Sequence, residues 1–210
     1  MIKGLAPLSG ALGYTFTDIA WLETALTHRS AGTPNNERLE FLGDAILNFI
    51  IADELYKRFS QASEGQLSRL RANLVRGETL AALARDLDMG QYLRLGSGEL
   101  KSGGFRRSSI LAGAMEAVIG AVYRDGGIKA CRRLVVGIYR ERLDGMSPHQ
   151  NLKDPKTRLQ ELLQARHHPV PNYAVKTVEG QAHTQTFFVE CTLEDGAVTL
   201  GQGSTRRKAE

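Results

Sequence analysis

Sixteen consecutive residues, Ser108 to Tyr123, carry a single charge, Glu116, and this run limits the possible folds more than any other feature of the chain. Arg107 precedes it and Arg124 follows it. At less than the roughly 20 residues needed to cross a bilayer, and with an acid inside it, the run does not read as a membrane span. It reads as a helix enclosed by other elements. A carboxylate in such surroundings costs several kcal/mol unless it is paired, protonated or bound to a metal. Glu116 shares a helix face with Gly113, Ala117 and Gly120, small residues that admit a second helix backbone at close range.

Apolar residues recur at three- and four-residue spacing through Ala20–Thr27, Glu37–Phe59, Gly65–Val75, Leu80–Leu87, Ile110–Tyr123 and Ala130–Leu143, so the chain is expected to be helical almost throughout to Asp144. Ala31–Asn36 and Gly96–Arg107 read as loops. Thr79 is expected as an N-cap and Gly90 as a C-cap. The rhythm then changes. Four of the six prolines (Pro148, Pro155, Pro169 and Pro171) fall close together, and Gly145–Asn151 reads as a linker. Beyond it, Pro155 opens a short helix through Ala165. Tyr173–Val178 and Gln185–Leu193 read as a hairpin, Ala197–Leu200 as a third strand, and Ser204–Glu210 as the first turn of a last helix. A helix that stops there is expected to leave an apolar sheet face, including Phe187 and Val189, without cover.

The 210 residues are 42% apolar and 24% charged, which is the make-up of a folded chain of one or two domains. The net charge of +4 and pI near 9.2 permit an anionic partner without requiring one. Cys131 and Cys191 match no disulfide framework or zinc spacing, and Met1–Gly13 lacks the layout of a secretory signal. A reducing cytoplasm is expected.

Glu37, Glu40 and Asp44, at i, i+3 and i+7, share an arc of about 60° on one helix face. Leu39, Leu42, Ile46, Phe49 and Ile50 form the opposite, core-facing stripe. Such acids are commonly just a solvated face. Phe41 lies on the acidic side, however, so that side is expected to meet another surface. Like charges this close also repel, which a cation would relieve. If the Glu37–Asp44 helix is the neighbour of Glu116, four carboxylates converge as hard oxygen donors suited to Mg²⁺. The alternative for Glu116 is an ion pair with Arg38 or Arg69. His28, His149, His167, His168 and His183 show no metal-ligand spacing, and the Gly96–Gly104 loop lacks a phosphate-loop pattern, so neither a zinc or di-iron site nor a nucleotide cofactor is expected. Lys101, Arg106 and Arg107 form either a basic loop suited to phosphates or a solvated one.

The run Asn36-Glu37-Arg38-Leu39-Glu40-Phe41-Leu42-Gly43-Asp44 resembles the signature of the bacterial ribonuclease III family. Leu26–Ser30, Glu64–Ser68, Gly98–Arg107 and Asp154–Glu161 resemble its flanking motifs, in order and spacing over nearly the whole chain. The resemblance implies an all-α endonuclease and dimerisation domain (1–144), a linker (145–153) and a double-stranded-RNA-binding domain (154–210) of α-β-β-β-α order, its last helix incomplete. It implies a homodimer that cuts double-stranded RNA with Mg²⁺, or Mn²⁺ in its place. The products would carry 5′-phosphate and 3′-hydroxyl ends with short 3′ overhangs, and the work would include processing of ribosomal RNA precursors and other structured transcripts. By motif position Glu40 and Glu116 would be metal ligands, Asp44 and Glu116 catalytic, Glu37 and Glu64 accessory acids of the cleft, and Phe41 the aromatic that packs into the partner subunit. Gln160, His183, Arg206, Arg207 and Lys208 would contact RNA, which is read by shape across the minor groove. Three cations at a helix N-terminus oppose the dipole and suit phosphate better than stability.

One position departs from the family. It usually reads Ile-Leu-Ala-Asp-x-x-Glu where this chain has Ile110-Leu111-Ala112-Gly113-Ala114-Met115-Glu116, so an expected metal-ligand aspartate is replaced by Gly113. A weakened nuclease needing more Mg²⁺ is the primary expectation. The alternatives are a dimer that binds double-stranded RNA without cutting it and a structural module for RNA annealing or protein docking.

Overall fold

The computed structural model describes residues 4–147, 155–181 and 183–210; most of the expected linker lies outside them. The chain divides into two compact units, Met1–Gln150 and Asn151–Glu210.

In the described residues of the first unit the helices are α1 (Ala6–Leu12), α2 (Ala20–Ala25), α3 (Glu37–Arg58), α4 (Glu64–Val75), α5 (Gly77–Asp86), α6 (Ser97–Lys101), α7 (Ser108–Ile138) and α8 (Arg140–Asp144). The apolar run is the centre of this unit: every residue of α7 from Ile110 to Val122 is buried except the half-buried Glu116. Leu39, Ile46, Leu47, Ile50, Ile51 and Leu55 of α3 and Leu80, Ala81, Leu83 and Ala84 of α5 pack around it. The α3–α7 crossing is a backbone contact. A Cβ at Gly43 would fall 1.8 Å from the Glu116 carbonyl oxygen, and one at Gly120 would fall 2.3 Å from that of Leu39. Glycine is therefore required on both sides of the crossing.

Polar ties complete the frame. Asp125 accepts hydrogen bonds from the Tyr14 hydroxyl (2.7 Å) and from the backbone N–H groups of Thr17 and Asp18 (2.8 and 2.9 Å). The buried Tyr139 hydroxyl donates to the Leu74 carbonyl at 3.1 Å. Gly127 has φ +73° and splits α7 into two helical stretches, at the break expected between Tyr123 and Ala130. Ser63 and Gln66 form a reciprocal capping box at the start of α4.

Three expectations are corrected. Helix α5 starts at Gly77, so Thr79 is not its N-cap; the Thr79 hydroxyl donates to the Asn73 carbonyl at 2.8 Å, closing the turn between α4 and α5. Gly90 is not a C-cap. It lies in a 3₁₀ turn, Met89–Tyr92, against the Phe105 carbonyl, where a Cβ would approach to 2.4 Å. The segment Gly96–Arg107 is not all loop, since it holds α6 and a second 3₁₀ turn at Gly104–Arg106.

The second unit runs α9 (Pro155–Ala165), β1 (Asn172–Glu179), β2 (Thr186–Thr192), β3 (Val198–Gly203) and α10 (Arg206–Ala209), with an antiparallel sheet in the order β1-β2-β3. The register shifts between Val175 and Thr177. Thr205 caps α10 by accepting from the Lys208 N–H. The expectation of an uncovered sheet face is corrected at Val189, which is 2% exposed, while Phe187 is half-buried. Helix α10 lies on β3, where Cβ atoms at Gly201 and Gly203 would meet its backbone at 2.1 and 2.7 Å. Two side-chain-free positions let one helical turn seat flush on the strand. The last residue, Glu210, pairs with both Lys156 of α9 and Arg206.

Candidate functional site

Where α3 and α7 cross, their polar edges open into a cavity of about 570 Å³ lined by His28, Arg29, Asn36, Glu37, Glu40, Phe41, Asp44, Ser109, Ile110, Gly113 and Glu116. The reason is the register of the crossing. Gly43 sits on the backbone of Glu116, so the flanking Glu40 and Asp44 straddle the Glu116 side chain. Four acids thus come together from two helices, and among the described residues no Lys or Arg forms an ion pair with the inner ones. Arg29 pairs with the outermost, Glu37, at 3.5 Å in an exposed contact. Asp44 Oδ1 accepts from the Asn48 side-chain amide at 2.9 Å, which fixes its rotamer one turn along.

Burial pushes the Glu116 carboxyl up to about 7, with the charges of Asp44 and then Glu40 adding to it. Glu40 is raised as well, by burial and then by Glu37, against smaller opposing effects of His28 and Arg29. Negative charge is gathered beyond what the protein compensates, which is the condition a divalent cation relieves. Among the described residues no three acid, histidine or cysteine side chains stand close enough to cage a metal. Mg²⁺ does not need such a cage, because it uses one or two carboxylates and keeps several waters. The donor set fits Mg²⁺ or Mn²⁺, which Glu40 and Glu116 could hold.

Gly113 has a direct structural consequence. A Cβ there would lie 2.9 Å from the Glu40 carboxyl carbon. The Glu40 carboxylate therefore rests against the bare α7 backbone, in the space that an aspartate at this position would enter.

Glu64 is not in this cavity within one chain. It begins α4, accepts from the Ser68 hydroxyl at 2.6 Å, and lines a separate groove with Ala52, Leu55, Tyr56 and Leu67. Phe41 is 81% exposed at the cavity rim; Phe49, expected in the core stripe, is instead 57% exposed and with Tyr56 continues an exposed aromatic stripe along α3. Neither Arg38 nor Arg69 pairs with Glu116 among the described contacts. In the second unit Gln160, Arg206, Arg207 and Lys208 share one groove with Lys156, Thr157 and Gln202. His183 is exposed in the turn between β1 and β2, outside that groove. Lys156 also stands over the Tyr173 ring at 4.2 Å.

Sequence reasoning gave no role to His28, Arg29, Asn36 or Ser109, all of which line the acid cavity. Ser109 was detectable: with Gly113 and Glu116 it falls at i, i+4 and i+7 on one face of α7. Asn36 and Arg29 flank the acidic motif, but nothing in their spacing indicates which way they face.

Comparisons with known proteins match both units of the chain. The family model Ribonuclease-III-like matches residues 18–142, and the Double-stranded RNA binding motif matches 155–210. A relative from Nitrosococcus oceani named Ribonuclease 3 is 62% identical, over 100% of this chain and 91% of its own length. The crystal structure of the nuclease domain of ribonuclease III from Campylobacter jejuni aligns at TM-score 0.66 and 36% identity, covering 69% of this chain and 99% of that one. A second structure of the same domain, concerned with flexibility in a region involved in dimer formation, aligns at TM-score 0.64 and 37% identity, over 66% of this chain and 97% of that one. With the family matched over the helical unit, the RNA-binding motif over the mixed unit, and the relatives aligned along nearly the full length, this chain belongs to the ribonuclease III family of endoribonucleases.

Proposed function

We propose that the protein cleaves double-stranded RNA at the α3–α7 cavity, using Mg²⁺ or Mn²⁺ held by Glu40 and Glu116. The observation that carries this reading is the convergence of Glu37, Glu40, Asp44 and Glu116 in one cavity, with Glu116 displaced to near neutral pH. When bound, the metal supplies an activated water and neutralises charge on the phosphodiester. The chain's own residues do the rest. Asp44, its carboxylate held by the Asn48 amide, would accept a hydrogen bond from the attacking water and orient it. Glu37, tied to Arg29, stays at the rim and keeps the cavity negative. The products have 5′-phosphate and 3′-hydroxyl ends, and the substrates include ribosomal RNA precursors and other structured transcripts.

The second unit supplies binding along the duplex. Gln160 and the Arg206–Lys208 turn place donors and positive charge in one groove for phosphates and 2′-hydroxyls. His183 reaches RNA from the β1–β2 turn. A second copy of the chain covers the Phe41–Phe49–Tyr56 stripe, which is too apolar to remain in water, and brings two acid cavities to one duplex, with Glu64 as an accessory acid near the interface. The Campylobacter structure's reference to dimer formation supports this arrangement. Cys131 and Cys191 are both free thiols and no described helix is long and apolar enough to cross a membrane; we place the protein in the cytoplasm.

Gly113 favours a second reading, an RNA-binding dimer with weak or no cleavage, because the cavity has one ligand fewer than its family pattern. Cleavage of an end-labelled duplex across Mg²⁺ and Mn²⁺ titrations separates the two. The nuclease reading expects cut products with ligatable 5′-phosphates that vanish in Glu40→Ala and Asp44→Ala. Tight binding without cutting at any metal concentration would establish the second reading instead.

A further inference from the structure

The segment Leu26-Thr27-His28-Arg29-Ser30 is built to present one histidine proton. Its backbone is anchored on both sides: the His28 N–H donates to the Arg94 carbonyl at 3.0 Å, the Arg94 N–H to the Leu26 carbonyl at 2.8 Å, and the Asn36 N–H to the Thr27 carbonyl at 2.9 Å. The ring is then fixed from behind. The Ser30 backbone N–H donates to His28 Nδ1 at 3.2 Å. The Ser30 hydroxyl lies 2.8 Å from the same nitrogen and itself accepts from the Gly96 N–H at 2.9 Å, which leaves its proton for Nδ1. Gly96 is held so close that a Cβ there would meet the Ser30 carbonyl at 2.2 Å.

Two donors converge on Nδ1, so that nitrogen carries the lone pair and the ring proton sits on Nε2. The described contacts offer Nε2–H no acceptor. The ring is half-buried and lines the cavity that holds Glu40, Asp44 and Glu116. A purely structural cap has no need of a ring, since an asparagine or serine would serve the Ser30 N–H as well. What histidine adds is a second nitrogen, Nε2–H, as a donor on the wall of a negative cavity.

We propose that His28 Nε2–H donates a hydrogen bond to a non-bridging oxygen of the phosphodiester bound in this cavity, which makes His28 a further catalytic residue of the reaction. The inference rests on the acid cavity being the site of cleavage. An arginine or lysine in the same place would pair with Glu40 and close the site. A single N–H donor, its ring held from behind by Ser30, stabilises the charge that grows on the phosphate in the transition state.

Two conservative variants separate the two ring nitrogens. In His28→Asn the side-chain oxygen replaces Nδ1 and keeps the cap, but the Nε2 donor is lost. In His28→Gln the amide nitrogen reaches the Nε2 position, but the cap is lost. Single-turnover cleavage of a labelled duplex by the full-length protein in Mg²⁺ should fall about 10- to 100-fold in His28→Asn. Duplex affinity, read in Ca²⁺, should change less than about 3-fold, one contact among many being lost. His28→Gln should recover most of the rate. The reverse ranking, or His28→Asn cleaving at the parental rate, overturns the proposal and leaves only a cap.

A second readout does not depend on turnover. Nitrogen-15 spectra of histidine-labelled protein, with the His28 signals assigned by their absence in His28→Asn, should show the Nε2–H tautomer. Those signals should shift when duplex RNA is added in Ca²⁺ but not with Ca²⁺ alone. A proton on Nδ1, or signals that RNA leaves unmoved, refutes the donor role. Glu116→Gln is the control on the underlying reading: cleavage surviving in it removes the acid cavity as the reaction site, whereas cleavage abolished in it with His28→Asn at the parental rate defeats the histidine inference alone.

Discussion

Replacing Gly43 by alanine should damage both stability and catalysis, through a contact that no side chain can relieve. A Cβ at this position would lie 1.8 Å from the Glu116 carbonyl oxygen, 2.6 Å from its carbon and 2.9 Å from the Gly120 nitrogen. All three are backbone atoms of α7. Non-bonded heavy atoms do not settle closer than about 3 Å, so α3 must withdraw by roughly 1 Å. Overpacking of this kind costs about 1–3 kcal/mol, and the absence of a movable neighbour puts Gly43→Ala at the upper end. Alanine's better helix propensity returns at most about 1 kcal/mol, for a net loss of about 2 kcal/mol. Trp21 is the only tryptophan and belongs to the first unit, so its fluorescence in a urea titration reads this unit alone. The midpoint should drop and Tm should fall by roughly 6 °C. Because withdrawal carries Glu40 and Asp44 away from Glu116, cleavage should fall by about 100-fold. Gly137→Ala is the counterpart: nothing lies within 4 Å of its Cβ position on α7, and it should stabilise by up to about 1 kcal/mol. Parental stability and activity in Gly43→Ala would refute the claim that backbone contact sets the cavity.

Three further outcomes follow from the same structure. Gly113→Asp must displace the Glu40 carboxylate and adds an acid, so it should lower Tm without metal, raise the Tm gain on adding Mg²⁺, and reduce the Mg²⁺ needed for half-maximal cleavage; an unchanged Mg²⁺ requirement would count against the missing-ligand account. Glu116 titrates at about 7 in the folded metal-free protein against 4.5 in the unfolded chain, so its stabilising contribution is complete below 4.5 and is lost as pH rises through 7. The full shift is worth roughly 3 kcal/mol, and solvent screening of a half-exposed group reduces this to about 1 kcal/mol; Tm in a chelator should fall between pH 5 and 8, and Glu116→Gln should flatten that slope. Arg207→Ala should weaken duplex binding equally across sequences and reduce the slope of log affinity against log salt by about 1, a result that a solvated, non-contacting arginine would not give.

The helices of the first unit were readable because their periods are strong, and Gly113, Ala117 and Gly120 announced a close neighbour before the neighbour was known. The structure sharpens that point. Gly120 meets α3 with Gly43 as its counterpart, while Gly113 faces the Glu40 carboxylate. A glycine inside a helix looks like weak propensity in sequence; only the crossing shows that it is spacing. Thr79 and Gly90 mimic caps because capping rules are local, whereas the α4–α5 turn and the approach of Phe105 are not. His28 was dismissed for lacking metal-ligand spacing, and its orientation depends on Arg94 and Gly96, distant in sequence. The one-turn helix α10 was legible, but its fit over Gly201 and Gly203 was not, since it depends on strand register.

The Asp125 clasp bears on how this protein is made. It joins Tyr14 to a residue 111 positions later, and the acid cavity is likewise assembled from an early helix and a late one. Domains fold as they leave the ribosome, N-terminal portions first. A nascent chain ending before α7 has Glu37, Glu40 and Asp44 but neither Glu116 nor the backbone that holds them in place. Translation therefore completes the acid cavity only once α7 has emerged, so its two walls meet at the end of this unit's synthesis.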